Sequence, residues 1–489
     1  MRRSGILLHI SSLPGREGIG TLGSGATAFL RFLSDSGVGI WQMLPVGPTG
    51  YGESPYQSPS TFAGNPLFID LEWLVKKGFL PADTVIPRHP ESDKVDFEAV
   101  RKEKMPVLEA SFAYAWEKTR KKAEAFRDAH DWVRDYSVFS ALKDHFDLVS
   151  WMDWPDEYRL RKPAALKKAE NDFGERIDFY VYIQYLFDLQ WKDLKKRAAK
   201  YGVLLFGDMP IYVAEDSADA WAHPENFQFD SDRRPLCVAG VPPDYFSADG
   251  QLWGNPLYNW KRMKKNGYSW WIDRLKTMEE RFDLIRIDHF IGFANYYSVD
   301  FGAPNARNGR WIIGPGRDFF RTVQEKLPGL KIVAEDLGAV NRRVKSLLRF
   351  TGYPGMKVLE FAFDSGGDNT HLPKNTPENS VYYTATHDND TCVGWYKSAS
   401  ESTRKHCGKV TGATGAEDVS WKMIRTVAFS RAETMVVPMQ DILKMDTDSR
   451  MNMPGSLGRN WKWRLKKLPA KKIRLQIREV LEQSGRITK

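Results

Sequence analysis

"DLIRIDHF", residues 283–290, decides how the rest of the chain is read. Leu284, Ile285 and Ile287 have the character of a strand buried on both faces, while Arg286, Asp288 and His289 bring ionisable groups to its end. A short apolar run bounded in this way fits a strand of a parallel sheet covered on both sides. Seven further runs share its form: 4–11 (SGILLHIS), 38–46 (VGIWQMLPV), 202–213 (GVLLFGDMPIYV), 330–338 (LKIVAEDLG), 355–364 (GMKVLEFAFD), 380–390 (SVYYTATHDND) and 433–443 (ETMVVPMQDIL). Helical spacing separates several of them. Phe29, Phe32 and Leu33 share a face before the stop at Gly37; Trp271, Leu275, Met278 and Phe282 repeat at helical intervals; Val344, Leu347 and Leu348 do so before Gly352. Alternating strands and helices with eight strands predict an α/β fold, a (β/α)8 barrel. Residues 365–379 depart from this pattern, showing no helical spacing where a crossover helix belongs.

The second and third runs are separated by far more chain than a crossover needs. Residues 71–200 therefore read as a mainly helical subdomain inserted into a single barrel spanning 1–489, with further loop insertions at the C-terminal face of the strands. The 489 residues carry a net charge of +9, but residues 459–489 account for all of it, and the rest is balanced. That basic C-terminal segment reads as a solvated helical face rather than a nucleic-acid site. Three cysteines without CxxC spacing suit a reducing compartment. The apolar run near the N-terminus is too short for a signal segment, and no run approaches a membrane span, so a cytoplasmic protein is expected.

Barrel active sites are built at the C-terminal ends of the strands. Ionisable residues collect there: Asp208, Arg286, Asp288, His289, Glu335, Asp336, His387, Asp388 and Asp390. Asp283, at the opposite end of its strand, reads as structural. Any one carboxylate is most simply a cap or an ion-pair partner, but four strands each delivering one are harder to explain structurally. Metal binding is one chemistry of clustered carboxylates, yet "DND" (388–390) and "DTD" (446–448) lack the glycine and glutamate of a calcium loop, and no HExxH occurs. Phosphoryl transfer is a second, but "GPTGYGESP" (47–55) has no P-loop lysine. Glycosyl transfer fits best: one carboxylate attacks the anomeric carbon and another, held neutral, protonates the departing oxygen. Arg286 beside Asp288 then favours the ionised nucleophile. No metal and no cofactor is expected.

"RIDHF", "VAEDLG" and "YTATHDND" resemble the catalytic-strand motifs of glycoside hydrolase family 77, the amylomaltases or 4-α-glucanotransferases. So, in order, do "LLHISSLPG" (7–15), the stretch 41–66, "GDMPIYVAEDSADAWAHPENF" (207–227), "GVPPDYFSADGQLWGNPLYNW" (240–260), "GMKVLEFAFD" (355–364) and "RMNMPGSLGRNWKWR" (450–464). The resemblance implies transfer of α-1,4-glucan segments between maltooligosaccharides, or to glucose, through a covalent glucosyl intermediate. By motif position it implies Asp288 as nucleophile, Glu335 as acid and base, and Asp388 as support for the transition state. Arg286, His289, His387 and Asp208 would grip the sugar or orient the carboxylates. Tyr56 would stack on the reacting ring, and Asn452 would reach the same region. Asp244, Tyr245, Phe246 and Trp253 would lie on a loop, 240–260, over the acceptor side. His9 reads as structural. Ile291 departs from the family, some members of which have a basic residue there.

The carboxylates alone do not separate a transferase from an α-amylase-like hydrolase, since water or a sugar hydroxyl can resolve the same intermediate. The long 240–260 stretch favours the transferase. A non-catalytic glucan-binding barrel predicts loss of one of the three carboxylates, and all three are present.

Overall fold

The eight apolar runs pair side by side, all parallel, into a closed barrel in this computed structural model, which describes residues 2–243, 248–338 and 340–488. In chain order the strands are β1 (Arg3–Leu7), β2 (Ile40–Gln42), β3 (Leu204–Pro210), β4 (Cys237–Val241), β5 (Gln251–Pro256) and β6 (Leu284–Asp288). They continue with β7 (Asn295–Asp300), β8 (Arg310–Ile313), β9 (Ile332–Ala334), β10 (Gly355–Val358), β11 (Ser380–Tyr383) and β12 (Thr434–Pro438). The barrel runs β1-β12-β11-β10-β9-β6-β3-β2 and closes through β2 on β1. Alternation along each strand divides the side chains. Leu7, Ile40, Phe206, Val333, Met356, Val358, Val381, Tyr383 and Val436 fill the barrel interior, while Ile6, Trp41, Leu205 and Ile285 face the surrounding helices.

The helices follow their apolar spacing. Ser24–Asp35 buries Phe29 and Leu33 and is followed by Gly37 at φ +74°; Ser269–Arg281 buries Trp271, Leu275 and Met278; Arg342–Thr351 buries Val344 and Leu347 and ends at Gly352, φ +71°. Between β10 and β11, residues 365–379 hold only the short helical turn Pro373–Asn375, so this crossover lacks an α-helix.

Between β2 and β3 lie the helices Leu71–Lys76, Phe97–Asp128, Asp131–His145, Pro163–Asp172 and Gly174–Lys200. The last is tied to the barrel's loops by two glutamines. Gln184 accepts from the Gly64 N–H and donates to its carbonyl, and Gln190 does the same at Asp70. On either side of residues 242–250 lie β4 and β5 of a four-stranded antiparallel sheet, β5-β4-β7-β8, beside the barrel mouth.

The basic C-terminal segment differs from the solvated helix expected for it. Residues 459–468 are not helical, and Trp461, Trp463 and Leu465 are buried. The helix Lys471–Ser484 buries Ile477, Val480 and Leu481, and Arg486 is fully enclosed. The apolar stripe within this segment decides its docking, and its lysines stay on the outer face.

Candidate active site

The register of the barrel sets the first contact. Asp208 on β3 lies directly opposite Arg286 on β6, and both of its oxygens accept from Arg286 Nη1, at 2.8 and 2.7 Å. The other fork, Nη2, donates to Asp288 Oδ1 at 2.8 Å. One guanidinium thus joins the interior carboxylate to the one at the strand tip. The Arg286 and Asp208 side chains are 5% and 0% exposed, against 29% for Asp288. Burial works against the charge on Arg286, but Asp208 and Asp288 beside it hold its pKa well above the usual arginine range. Asp208 also accepts from the Tyr56 hydroxyl at 2.8 Å, so the loop after β2 is anchored to the same pair.

Glu335 follows β9. Its Oε2 accepts from the backbone N–H of His289 at 2.7 Å, and its Oε1 from that of Leu337 at 2.8 Å. His289 adopts φ +51°, a left-handed conformation costly for a residue with a Cβ, and this brings its amide to Glu335. Burial pushes the Glu335 carboxyl up, Arg286 opposes, and Asp288 adds to the rise, for a result of about 7. The His289 ring is buried, which lowers its pKa to about 4, and lies edge-on to Trp253 at 4.8 Å.

Asp388, beyond β11, is the most open of the three, with its side chain 45% exposed. Asn452 Nδ2 donates to its Oδ1 at 2.6 Å, while the Asn452 N–H donates to the His387 carbonyl at 3.1 Å. The His387 ring stacks on Tyr56 at 5.2 Å, with 10° between planes, and its Nε2 stands 3.4 Å from Asp388 Oδ1. Contacts therefore run without a break from Asp288 through Arg286, Asp208, Tyr56 and His387 to Asp388. His9 is buried beneath; burial and nearby His387 lower its pKa to about 3, consistent with a structural role.

Most expected site residues meet in this cluster, but not all stand where a ligand reaches. The Asp208 side chain is enclosed and that of Arg286 nearly so, and both are engaged with each other and with Tyr56 and Asp288. Asp336 is tied to the Met356 N–H, Asp390 to Thr391 and Thr447, and Asp283 to the Leu205 N–H at the barrel's other end. Trp253 faces the His289 side, whereas Asp244, Tyr245 and Phe246 lie outside the described residues. Two contributors escaped the sequence reading. Arg450 donates to the backbone carbonyls of Asn452 and Asp388, and the His289 amide serves Glu335.

Fold and site together define a (β/α)8 barrel with carboxylates gathered at the C-terminal ends of its strands. A family model described as 4-alpha-glucanotransferase, glycoside hydrolase family 77, matches residues 8–470. The chain is 44% identical to the 4-alpha-glucanotransferase of Thermus thermophilus over 476 residues, 95% of each chain. It is 42% identical to that of Clostridium butyricum over 464 residues, 94% of this chain and 95% of the relative. Among solved structures, the amylomaltase of Streptococcus agalactiae in complex with acarbose superposes with a TM-score of 0.96 at 37% identity, covering 99% of this chain and all of that one. The chain belongs to the 4-alpha-glucanotransferases of glycoside hydrolase family 77, and its activity is 4-α-glucanotransferase. Among the described residues no helix is long and apolar enough to cross a membrane.

Proposed function

We propose that Asp288, Glu335 and Asp388 carry out this activity on α-1,4-glucans by a retaining double displacement. Asp288 Oδ1 is held by Arg286, while Oδ2 has no partner among the described residues and is free to attack the anomeric carbon of the donor. As the Asp288–C1 ester forms, the C1–O4 bond breaks and Glu335 gives its proton to the departing O4. The 4-hydroxyl of glucose or of a second maltooligosaccharide then attacks C1 from the vacated side. Its proton passes to Glu335, and the ester bond to Asp288 breaks. Asp388, held by Asn452 and close to His387, binds sugar hydroxyls and supports positive charge at C1.

The observation that carries these roles is the environment of Glu335: enclosed, near a second carboxylate, and raised to about 7, as a proton donor at neutral pH requires. Tyr56, stacked on His387, and Trp253, beside His289, provide aromatic faces for the sugar and its acceptor. The free thiols of Cys237, Cys392 and Cys407 support a reducing, cytoplasmic setting.

The test is the product profile from maltotriose alone. Glucose plus a ladder of longer maltooligosaccharides is expected, and Asp288→Asn and Glu335→Gln should each abolish the ladder while keeping the native circular-dichroism spectrum. A folded Asp288→Asn protein that still extends maltotriose would overturn the assignment.

A further inference from the structure

We infer that the cleft between β8 and the loop leaving Glu335 is a remote subsite for an α-1,4-glucan chain, with Trp311 as its stacking platform. The cleft is open, about 740 Å³, and is lined by Asn295, Trp311, Val340, Asn341, Arg342 and Arg343. None of the groups it assigns belongs to the catalytic cluster.

Continuity with the reaction centre is the first argument. Both walls are direct extensions of segments that carry catalytic groups. On one side the chain passes from Asp288 and His289 through a single helical turn, Phe290–Phe293, into β7 at Asn295. On the other, only four residues lie between Glu335 and Val340, which places Val340 at most roughly 17 Å from it. The cleft therefore lies within reach of a long glucan bound at the Glu335 side of the centre.

The lining is the second argument. Trp311 is 45% exposed, unusual for an indole, and its strand neighbour Ile313 is 63% exposed. The indole is nonetheless fixed. Trp311 pairs across the sheet with Tyr297, whose buried ring meets it edge-on at 5.4 Å. A fixed, half-exposed aromatic face suits a sugar ring, which has one apolar face and a rim of hydroxyls. Facing it are donors for that rim. Arg342 and Arg343 form no ion pair among the described residues, and Asn341 opens the helix that bears them. No carboxylate lines the cleft to occupy these guanidiniums, which leaves their N–H groups to donate to the hydroxyl oxygens of a sugar chain. A glucan long enough to occupy both places gains affinity from tethering, whereas a trisaccharide does not.

The experiment compares Trp311→Ala with the parent on maltotriose and on long linear amylose. The variant is expected to keep maltotriose disproportionation within about twofold and to lose roughly tenfold in kcat/KM on amylose, equivalent to about 1.4 kcal/mol of lost contact. Trp311→Phe should recover much of the loss. Equal kinetics on both substrates would overturn the subsite. So would a dimer of the parent, seen by size exclusion, that Trp311→Ala dissociates, since the cleft would then belong to a second copy. Should Trp311→Ala fail to fold, Arg343→Asp on the opposite wall decides, and unchanged amylose kinetics there also overturn the proposal. Because maltotriose turnover is read in the same assay, failure of the subsite stays distinct from failure of the catalytic assignment.

Discussion

Glu335 is pulled two ways. Two backbone N–H groups favour its anion, but enclosure outweighs them and leaves the carboxyl at about 7. A group so placed can donate a proton below that pH, so kcat/KM for maltotriose should fall along a basic limb near pH 7. Stability responds to the same shift. The folded pKa lies above the unfolded value of 4.5, so the folded state holds a proton that the unfolded chain has released. Stability therefore declines as pH rises from 4.5 to about 7, by on the order of 3 kcal/mol. Glu335→Gln escapes this decline. It should be inactive yet melt above the parent at pH 8 and level with it at pH 4; equal melting at pH 8 would contradict the account. Trp253 poses a different question at the same scale. Its place against His289 predicts that Trp253→Ala raises the ratio of glucose released by water to glucan transferred, measured on maltotriose. The identity of Glu335 could be read from a carboxylate following an apolar run. The His289 amide could not, because that contact depends on a left-handed backbone rather than a side-chain type.

The 71–200 helices could be recognised by composition and spacing, but not their connection to the site. Gln184 and Gln190 stand in a largely apolar, aromatic stretch of Gly174–Lys200 and look like tolerated polar residues. Folded, they close backbone hydrogen bonds of the loop between β2 and β3 that also carries Tyr56. Lys104 does similar work from Phe97–Asp128, where its Nζ pairs with Glu17 at 2.6 Å, with side chains 3% and 8% exposed. Glu17 also accepts from the Leu71 N–H. Removing one partner of such a pair leaves a buried charge unmatched. Lys104→Met should cost about 3–5 kcal/mol in urea unfolding, and adding Glu17→Gln should recover most of it. A single variant as stable as the parent would show that the pair does not hold the helices to the barrel. The antiparallel sheet was hidden for another reason. β4 and β5 carry glycine, β7 interrupts its apolar residues with Asn295 and Ser298, and β8 is largely exposed, so they lack the continuous apolar signal that marked the barrel strands.

At the scale of the whole molecule, a barrel must join its first strand to its last, and here β1 pairs with β12 over Arg3–Leu7 and Thr434–Pro438. The strands announced themselves because both of their faces are buried, one by the interior and one by helices. The device that seals the seam did not, because it is built from arginines in a segment whose charge suggested solvent. Arg486 is fully buried and donates to the carbonyls of Arg3, Ala428, Ser430, Ala432 and Glu433, gathering both ends of the seam around one guanidinium. Arg464 likewise donates to the carbonyls of Leu13 and Gly15. Burial, with Arg2 nearby, lowers the Arg486 pKa to about 9, leaving it charged at neutral pH and matched, among the described residues, by carbonyl dipoles. Truncating it strands those acceptors without water, at a cost of roughly 1–3 kcal/mol for each group left unpaired. Arg486→Ala should therefore lower the melting temperature by several degrees. Arg486→Lys should recover only part of the loss, because a single ammonium cannot span the carbonyls that the planar fork reaches. The Arg486 contacts lie at the N-terminal ends of β1 and β12, opposite the carboxylates at the barrel mouth. Below its melting point, then, the Arg486→Ala protein should give the same maltotriose ladder at the same rate as the parent, and a changed ladder would mean that strain at the seam reaches the barrel mouth.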